Sequence, residues 1–391
     1  MEVTKTIKDG LLVINLIGRI DASNAPEVEK KINEFISNSI EKNFIIDAER
    51  LEYISSAGLR ILLRLRKTVS ELKVINVSNE IYNIFDMTGF VELLTVEKAY
   101  RKLSVDGCEV IAQGAKGRIY RYDDETIVKV FYKNSPIEEI KNERELCRKV
   151  FMKGINSAIP YDIVKVGEFY GTVVELLNAK SLSKQIIKNP DKLEEYMHIF
   201  SDFLKKIHTV KATLDEFPSI KEEGIVWVNA MKGRISDEAF NKLNQLINEM
   251  PVTPILIHGD YHTNNVMLDE NGPILIDMDT VSVGNPVFDL VGTYLACVGY
   301  SMFNPQNSLD FSGIPYETTV KMWDLFLNDY FDGNKEKMNE AQLKVEIISG
   351  ARIIRRMYKH KLDNTEEGKK IIEYYTNKIE NNIKVVDNLY I

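Results

Sequence analysis

Three polar residues in the C-terminal half of the chain have the types and spacing that phosphate chemistry requires. Asp260 and Asn265 lie just after the apolar run 255–257, and Asp277 follows the apolar run 274–276. Short apolar runs of this kind predict strands, so the loops at their ends can meet at one place. A carboxylate that accepts a proton, beside an amide and a second carboxylate that hold a hard cation, suits phosphoryl transfer from a magnesium nucleotide.

A metal-dependent phosphoesterase is the alternative for this segment. The fragment His-Gly-Asp-x-His also occurs in such enzymes, where His and Asp ligate two metal ions. They need further His and Asp ligands from other loops, and the remaining histidines here are His198, His208 and His360. Because none of the three has a metal-ligand spacing, the pattern favours a kinase-like site.

Composition limits the class of protein. A chain of 391 residues with 44% hydrophobic and 28% charged residues predicts a soluble protein of two or three domains. The net charge of −8 argues against a nucleic-acid-binding surface. Three scattered cysteines predict neither a disulfide framework nor a zinc site. Since neither a signal peptide nor a membrane-spanning segment is apparent, we expect a cytoplasmic protein that binds neither nucleic acid nor membrane.

The first 103 residues alternate short apolar runs with amphipathic segments, which predicts a compact α/β domain. One helix begins at Ser55 or Ser56 and carries Arg60, Arg64 and Lys67 on its outer face. The other predicted elements are strands at 12–17, 44–47 and 73–77 and helices at 25–37 and 79–87.

Three segments of this domain resemble a known family. Residues 18–22 (GRIDA), 53–59 (YISSAGL) and 85–90 (FDMTGF) are similar to a STAS domain of the anti-sigma factor antagonist type. In that family a Ser at the start of this helix is phosphorylated by a partner kinase, and the phosphate controls docking to an anti-sigma factor. The matching residue is Ser56, so the resemblance implies an anti-sigma-type protein partner or self-association through this domain.

Physical chemistry is compatible with a phosphosite at Ser56. A helix N-terminus stabilises added negative charge through its free N–H groups and its dipole. Either Ser55 or Ser56 can instead act simply as the N-cap of the helix. The sequence leaves regulation and capping open, and one site can serve both.

The next segment predicts a nucleotide-binding β-sheet. After a linker at 104–107, Gly114 and Gly117 lie in a loop between two strands, and Lys129 lies within the apolar strand 127–131. Two glycines alone would suit any hairpin. Their position about a dozen residues before a Lys in a strand favours a phosphate-binding loop whose Lys reaches the phosphates.

The motif His-Gly-Asp-x-His-x-x-Asn, with Ile-Asp ending twelve residues after the Asn, resembles the aminoglycoside phosphotransferase and choline kinase superfamily. The resemblance covers residues 108–391 and implies a bilobal α+β protein-kinase-like fold, with a small lobe at about 108–177 and a large lobe at about 178–391. It implies that ATP and Mg²⁺ bind between the lobes. It also implies a hydroxyl acceptor on a small molecule, such as an amino sugar or a choline-like alcohol.

The resemblance assigns roles to residues of this chain. Asp260 accepts the proton of the substrate hydroxyl, and Asn265 and Asp277 hold Mg²⁺. The strand that ends near Glu175 resembles the hinge between the lobes, so backbone groups from Glu175 to Leu177 are expected to face the adenine.

The Lys partner lies on the predicted helix 137–152. Lys129 is expected to hold the α- and β-phosphates and to pair with a Glu of this helix. Glu145 is preferred because the family's partner Glu follows an Arg, and Glu143 remains open.

Other residues are expected to support the site. His208 resembles a position that braces the catalytic loop, and Asp289 resembles one that packs beneath it. Asp279 is expected to support the metal ligands from outside. Trp227 and Trp323 either line the acceptor pocket or pack in the core. A solvated helix face is predicted for Arg352, Arg355, Arg356 and Lys359.

Two further functions compete with a small-molecule kinase. One is a protein kinase, with Ser56 as a candidate substrate. The other is a nucleotide-binding regulator with little catalysis, acting in an anti-sigma-type partner switch. Only twelve positions separate Asp277 from Asp289, which leaves little room for a peptide-docking activation segment. The complete set of catalytic residue types argues against a non-catalytic regulator.

Overall fold

The computed structural model describes residues 1–8, 10–40, 43–69, 72–114, 116–132 and 134–391. They form two compact units, one of Met1–Ser104 with Ile163–Glu168 and one of Val105–Asp162 with Phe169–Ile391. Across these described ranges, every helix is too short or too polar to cross a membrane.

The first unit is an α/β domain, as the sequence predicts. Its sheet has the strand order β1-β2-β3-β4-β5, in which β1 and β2 are antiparallel and the other pairs parallel. Strands β2 and β3 pair as far as Ile20 and Ile54, so both are longer than predicted. The elements are β1 (Glu2–Lys8), β2 (Leu11–Ile20), α1 (Ala25–Ser37), β3 (Phe44–Ile54), α2 (Ser56–Thr68), β4 (Lys73–Val77), α3 (Asn79–Met87), α4 (Phe90–Leu93), β5 (Thr95–Lys98) and β6 (Arg101–Lys102).

Ser55 is the residue that caps α2. Its backbone is extended, and its hydroxyl accepts a hydrogen bond from the backbone N–H of Gly58 at 3.5 Å. Ser56 is the first residue of the helix and is exposed. The structure therefore decides the capping question that the sequence left open, and it leaves the hydroxyl of Ser56 outside the cap.

The second unit begins with antiparallel strands and one long helix. Strands β7, β8, β9 and β11 follow each other in the sheet in the order β11-β9-β8-β7. Lys129 stands in β9 between Ile119 of β8 and Thr172 of β11. The elements are β7 (Glu109–Gln113), β8 (Gly117–Arg121), β9 (Thr126–Phe131), α5 (Ile137–Met152) and β11 (Phe169–Glu175). Strand β10 (Pro160–Val166) is divided between the two units at residue 163.

The rest of this unit is mainly helical. Its core includes the stacked rings of Phe200 and Tyr261, with Phe326 packed against Phe200. Trp227 and Trp323 are 6% and 3% exposed and belong to this core. The elements are β12 (Lys180–Ser181), α6 (Leu182–Lys188), α7 (Leu193–His208), α8 (Ile220–Asn229), α9 (Asp237–Glu249), β13 (Leu256–Ile257), β14 (Val266–Asp269), β15 (Gly272–Leu275), β16 (Ser282–Val283), α10 (Val287–Tyr294), α11 (Gln306–Ser312), α12 (Tyr316–Tyr330), α13 (Lys335–Lys359) and α14 (Glu366–Asn382).

A short hairpin brings the two motif loops together. Strands β14 and β15 pair antiparallel, with Val266 opposite Leu275. The backbone N–H of Ile276 donates to the carbonyl of Asn265 at 3.0 Å. The loop 258–265, called the catalytic loop for its resemblance to the aminoglycoside phosphotransferase and choline kinase superfamily, is therefore a neighbour of the loop 276–281, called the metal loop on the same ground, as the two flanking apolar runs predict.

Candidate active site

The loop that carries Asp260 is held by a buried carboxylate. Asp289 accepts the backbone N–H of His258 at 3.0 Å and that of Gly259 at 2.6 Å. The ring nitrogen Nε2 of His208 lies 3.0 Å from the same carboxylate. Asp289 is fully buried, so these bonds satisfy carboxyl oxygens that are removed from water. The prediction that His208 and Asp289 support this loop is confirmed.

Gly259 allows the metal loop to approach the catalytic loop. Its φ is +83°, and a Cβ built there would lie 2.6 Å from the carbonyl oxygen of Thr280. A side chain at this position would therefore clash as well as strain the backbone. Thr280 in turn donates its hydroxyl to the carbonyl of His258 at 2.8 Å.

Asp260 has two basic neighbours. One carboxylate oxygen accepts from Nη2 of Arg352 at 3.1 Å, and the other lies 3.5 Å from Nε2 of His262. Burial acts to raise the pKa of Asp260. The hydrogen bond and charge of His262 and the charge of Arg352 together lower this pKa by more, so the net pKa lies below its usual range. The carboxylate is therefore ionised near neutral pH and can accept a proton or a hydrogen bond from a hydroxyl.

The prediction of a solvated helix face is wrong for Arg352. Its side chain is only 20% exposed. The guanidinium lies 5.1 Å from the ring of Trp227 and within 3.4 Å of the carbonyl of Gly259. Helix α13 buries Ile353 and Ile354, and this packing brings Arg352 against the catalytic loop. The sequence contains no local signal of this pairing, because Arg352 and Asp260 are 92 residues apart.

Asn265 and Asp277 lie at the two ends of the β14–β15 hairpin. The amide nitrogen of Asn265 donates to the carbonyl of Asp260 at 3.1 Å, which leaves the amide oxygen for another partner. Asp277 has φ +62°, a left-handed conformation that Asp tolerates better than most residues. Its carboxylate is 47% exposed and lies 3.8 Å from Nζ of Lys129.

These donors fit Mg²⁺ better than a transition metal. Among the described residues, no group of three or more His, Cys, Asp or Glu side chains has metal-site geometry. Mg²⁺ commonly takes one or two protein oxygens and completes its shell with water and substrate phosphates. A carboxylate and an amide oxygen beside a lysine match that requirement.

The preference for Glu145 as the partner of Lys129 is wrong. Nζ of Lys129 lies 2.6 Å from a carboxylate oxygen of Glu143, and both side chains are mostly buried. Glu145 instead binds Arg148 at 3.0 and 3.1 Å on the exposed side of α5. Residues two apart on a helix point roughly 200° apart, so only one of the two acidic residues can face β9.

A sequence signal for Glu143 exists. It stands three residues after Ile140 and three before Leu146, both buried, so it shares the apolar face of α5. Burial acts to lower the pKa of Lys129, whereas the charges of Glu143 and Asp277 raise it more, and the net pKa is raised. Lys129 therefore remains a cation beside Glu143 and Asp277.

The glycine-containing loop is tied to the metal loop. The N–H of Gly114 donates to the carbonyl of Gly117 at 2.9 Å and closes the turn, while residue 115 lies outside the described residues. The ammonium group of Lys116 binds the carboxylate of Asp279. Burial disfavours the charged form of Lys116, whereas the hydrogen bond with Asp279 favours it. The second effect is larger, so the pKa of Lys116 is raised. Asp279, expected to support the metal ligands, thus binds the loop.

The expected hinge has most of its N–H groups occupied. The N–H of Glu175 donates to Ile159 at 3.1 Å and that of Leu176 to Glu125 at 2.7 Å. Within the described residues, the N–H of Leu177 has no backbone acceptor. Glu175 and Leu177 line a cavity of about 490 Å³.

A second cavity opens beside Asp260. Its volume is about 580 Å³, large enough for a small organic molecule. Segments before and within α11, α13 and α14 surround it. The polar side chains that line it include Asp260, His262, Tyr300, Asn307, Arg352, Arg356 and Glu367.

Comparison with known proteins agrees with this geometry. Residues 107–307 match the phosphotransferase enzyme family (APH), and residues 2–103 match the STAS domain. The chain therefore belongs to the phosphotransferase enzyme family and carries an N-terminal STAS domain, which confirms both resemblances. The names of these relatives do not identify the substrate of this chain.

Individual relatives resemble one part of the chain each. A Bordetella bronchiseptica protein named as a candidate anti-sigma factor antagonist, BtrV, is 31% identical over 100 residues, which are 25% of this chain and 85% of that protein. Aminoglycoside phosphotransferase APH(2'')-Ib with ADP bound is 18% identical, covering 69% of this chain and 92% of its own, with a TM-score of 0.47. The gentamicin complex of APH(2'')-IIa is 16% identical, covering 71% and 91%, with a TM-score of 0.45.

Proposed function

We propose that residues 108–391 form an Mg-ATP-dependent phosphotransferase domain that acts on a hydroxyl of a small molecule. The observation that carries this proposal is that short contacts and the β14–β15 hairpin link Asp260, Asn265, Asp277 and Lys129, which we call the cleft residues. Asn265 is bonded to the backbone of Asp260, and Asp277 lies 3.8 Å from Lys129. Family membership supports the phosphotransferase class.

Each cleft residue then has a defined role. Lys129, held by Glu143, binds the α- and β-phosphates, while Asn265 and Asp277 hold Mg²⁺. The Mg²⁺ ion held by these two residues would supply positive charge that offsets the negative charge developing during transfer. Asp260 accepts the proton of the acceptor hydroxyl, and the backbone from Glu175 to Leu177, together with Gly114 and Gly117 of the loop, encloses the nucleotide.

A small acceptor fits the site better than a folded peptide. Only twelve positions separate Asp277 from Asp289, and they include a short helical turn, the edge strand β16 and the buried Asn285. This segment leaves no long loop for peptide docking. The cavity of about 580 Å³ beside Asp260 is the acceptor site in this proposal. Amino sugars and choline-like alcohols are the first candidate acceptors from the family resemblance.

The STAS unit supplies a regulatory or docking function in this proposal. Residues 1–103 form the module, and Ser56 is its phosphoacceptor for a partner kinase. Ser55 already caps α2, so an exposed Ser56 hydroxyl stands where a phosphate would meet free N–H groups. The partner is an anti-sigma-type protein or a second copy of the chain.

Replacing Asp260 with Asn tests the catalytic assignment. We expect ADP release with an accepted hydroxyl compound to fall by about 10²–10⁴-fold, because the proton acceptor is lost. MgATP binding, measured by calorimetry, should be retained. Asp191→Asn is the matched control, because Asp191 is exposed and lies outside the motif loops.

Acceptors are found by measuring ADP release across amino sugars, amino alcohols, sugar phosphates, hydroxy acids and peptides. The proposal fails if the chain does not bind MgATP, or if Asp260→Asn turns over as fast as the wild type. A peptide as the best acceptor would instead support the protein-kinase alternative.

A further inference from the structure

Two arginines of α13 face the acceptor cavity one helical turn apart. Arg352 and Arg356 both line it, and their Cα atoms are separated by about 6 Å along the helix axis. Arg352 binds Asp260, so it marks the end of the cavity where the hydroxyl would react. Arg356 lies one turn further along.

Of the two aromatic rings that line the cavity, that of Tyr300 is covered by Arg356, whereas that of Phe311 contacts the ring of His262. The guanidinium of Arg352 lies 5.1 Å from the ring of Trp227, and that of Arg356 lies 5.2 Å from the ring of Tyr300. A choline-like ligand binds by placing its cation over such a face. At Tyr300 such a ligand would have to displace Arg356.

The carboxylates of the cavity are also occupied. Asp260 is bound by Arg352 and lies beside His262. Both oxygens of Glu367 accept hydrogen bonds from asparagine side chains, from Asn307 at 2.9 Å and from Asn304 at 3.3 Å. An aminoglycoside with several ammonium groups would therefore find the carboxylate of Asp260 already paired with a cation, and that of Glu367 bonded to neutral amide groups.

The guanidinium of Arg356 differs from these carboxylates, which already have partners. Arg356 is exposed, and within the described ranges no carboxylate lies within 4.0 Å of its guanidinium. A guanidinium presents a planar set of donors that matches a carboxylate or a phosphate with two parallel hydrogen bonds. Stacking on Tyr300 limits its rotation and prepares it for such an anion.

We propose that the acceptor is a small hydroxyl compound that carries an oxyanion, a carboxylate or a phosphate, and that Arg356 binds this group. This inference rests on the proposed function and names the acceptor class of the same site. Arg352 holds Asp260 for the reacting hydroxyl, while Arg356 holds the oxyanion about one helical turn away. The geometry thus favours an anionic acceptor over an amino sugar or choline.

Four sugars with one ring and different charges test the inference. Glucose, glucosamine, glucose 6-phosphate and glucuronate are titrated by calorimetry into the full chain with Mg²⁺ and ADP. We expect glucose 6-phosphate or glucuronate to bind at least about tenfold more tightly than glucose, the effect of one charged hydrogen-bonding group. Glucosamine should show no such gain. The two anionic sugars separate a phosphate site from a carboxylate site.

Arg356→Gln should reduce the binding of the anionic sugar to the level of glucose, and Arg356→Lys should keep part of the gain. Arg355→Gln is the control, because Arg355 is the next residue of α13 but does not line the cavity. Tightest binding by glucosamine, equal behaviour of the four sugars, or an anion preference that survives Arg356→Gln would overturn the inference. MgATP binding without sugar is measured separately, so a failure of the proposed function is recognised independently.

Discussion

Replacing Glu143 with Gln is the sharpest test of how the proposed nucleotide site is organised. The substitution keeps the shape of the side chain and removes the charge that holds Lys129. The two groups are 2.6 Å apart, and their side chains are 20% and 16% exposed for Lys129 and Glu143 respectively. Glu145 on the same helix provides the matched control, because its partner is Arg148 and that pair is exposed.

The magnitude follows from the burial of the pair. A hydrogen bond between charged groups contributes about 1.5–3 kcal/mol, equivalent to a tenfold to roughly 150-fold change in a binding constant. In the variant, the carboxylate of Asp277 still attracts the ammonium group of Lys129, because it lies 3.8 Å from Nζ. We therefore expect the Kd for MgATP to rise about tenfold in Glu143→Gln. An exposed pair is worth about 0–1 kcal/mol, so Glu145→Gln should leave the Kd almost unchanged.

Calorimetric titration of MgATP into both variants measures the difference, and urea unfolding checks that each remains folded. If Glu145→Gln weakens MgATP binding as much as Glu143→Gln, the ion pair does not orient Lys129 for the phosphates. A larger effect of Glu145→Gln would restore the first expectation from the sequence.

Two other results are expected. Asp277→Asn keeps a residue type that tolerates the left-handed backbone but removes the carboxylate, so the Mg²⁺ dependence of ATP binding should largely disappear by calorimetry; unchanged Mg²⁺ dependence would contradict its role. Ser56 should not be an efficient substrate of its own kinase domain, because the proposed site accepts small molecules and Ser56 lies at the start of a folded helix. Mass spectrometry after incubation with MgATP tests this, and rapid stoichiometric phosphate on Ser56 that is absent in Asp260→Asn would support the protein kinase instead.

The sequence was sufficient wherever the determining interactions are local. Helices α1, α3 and α5 begin and end where their period of apolar residues predicts. Asn265 and Asp277 come together because a hairpin of two short strands joins them, and hairpin pairing depends on nearby residues. Asp260 shares this local segment, so motif spacing alone placed three of the cleft residues.

Helix faces were harder to assign. Glu143 and Glu145 are chemically equal, and a two-residue shift reverses the direction of the side chain. The buried positions Ile140 and Leu146 show which face packs against the sheet. The spacing of the apolar residues in α5 therefore indicates Glu143. The family pattern, in which the partner Glu follows an Arg, indicated Glu145 instead.

Only the tertiary structure decided the remaining electrostatic partners. Arg352 reaches Asp260 across 92 residues of sequence, and Lys116 reaches Asp279 across 163. With 50 basic and 58 acidic residues in the chain, many pairings are chemically equivalent. The choice depends on which side chains the packed core brings within hydrogen-bonding distance, because charge attraction is strong only at short range and away from water. Packing of α13 against the catalytic loop is what turns an ordinary arginine-rich helix into the wall of a candidate acceptor site.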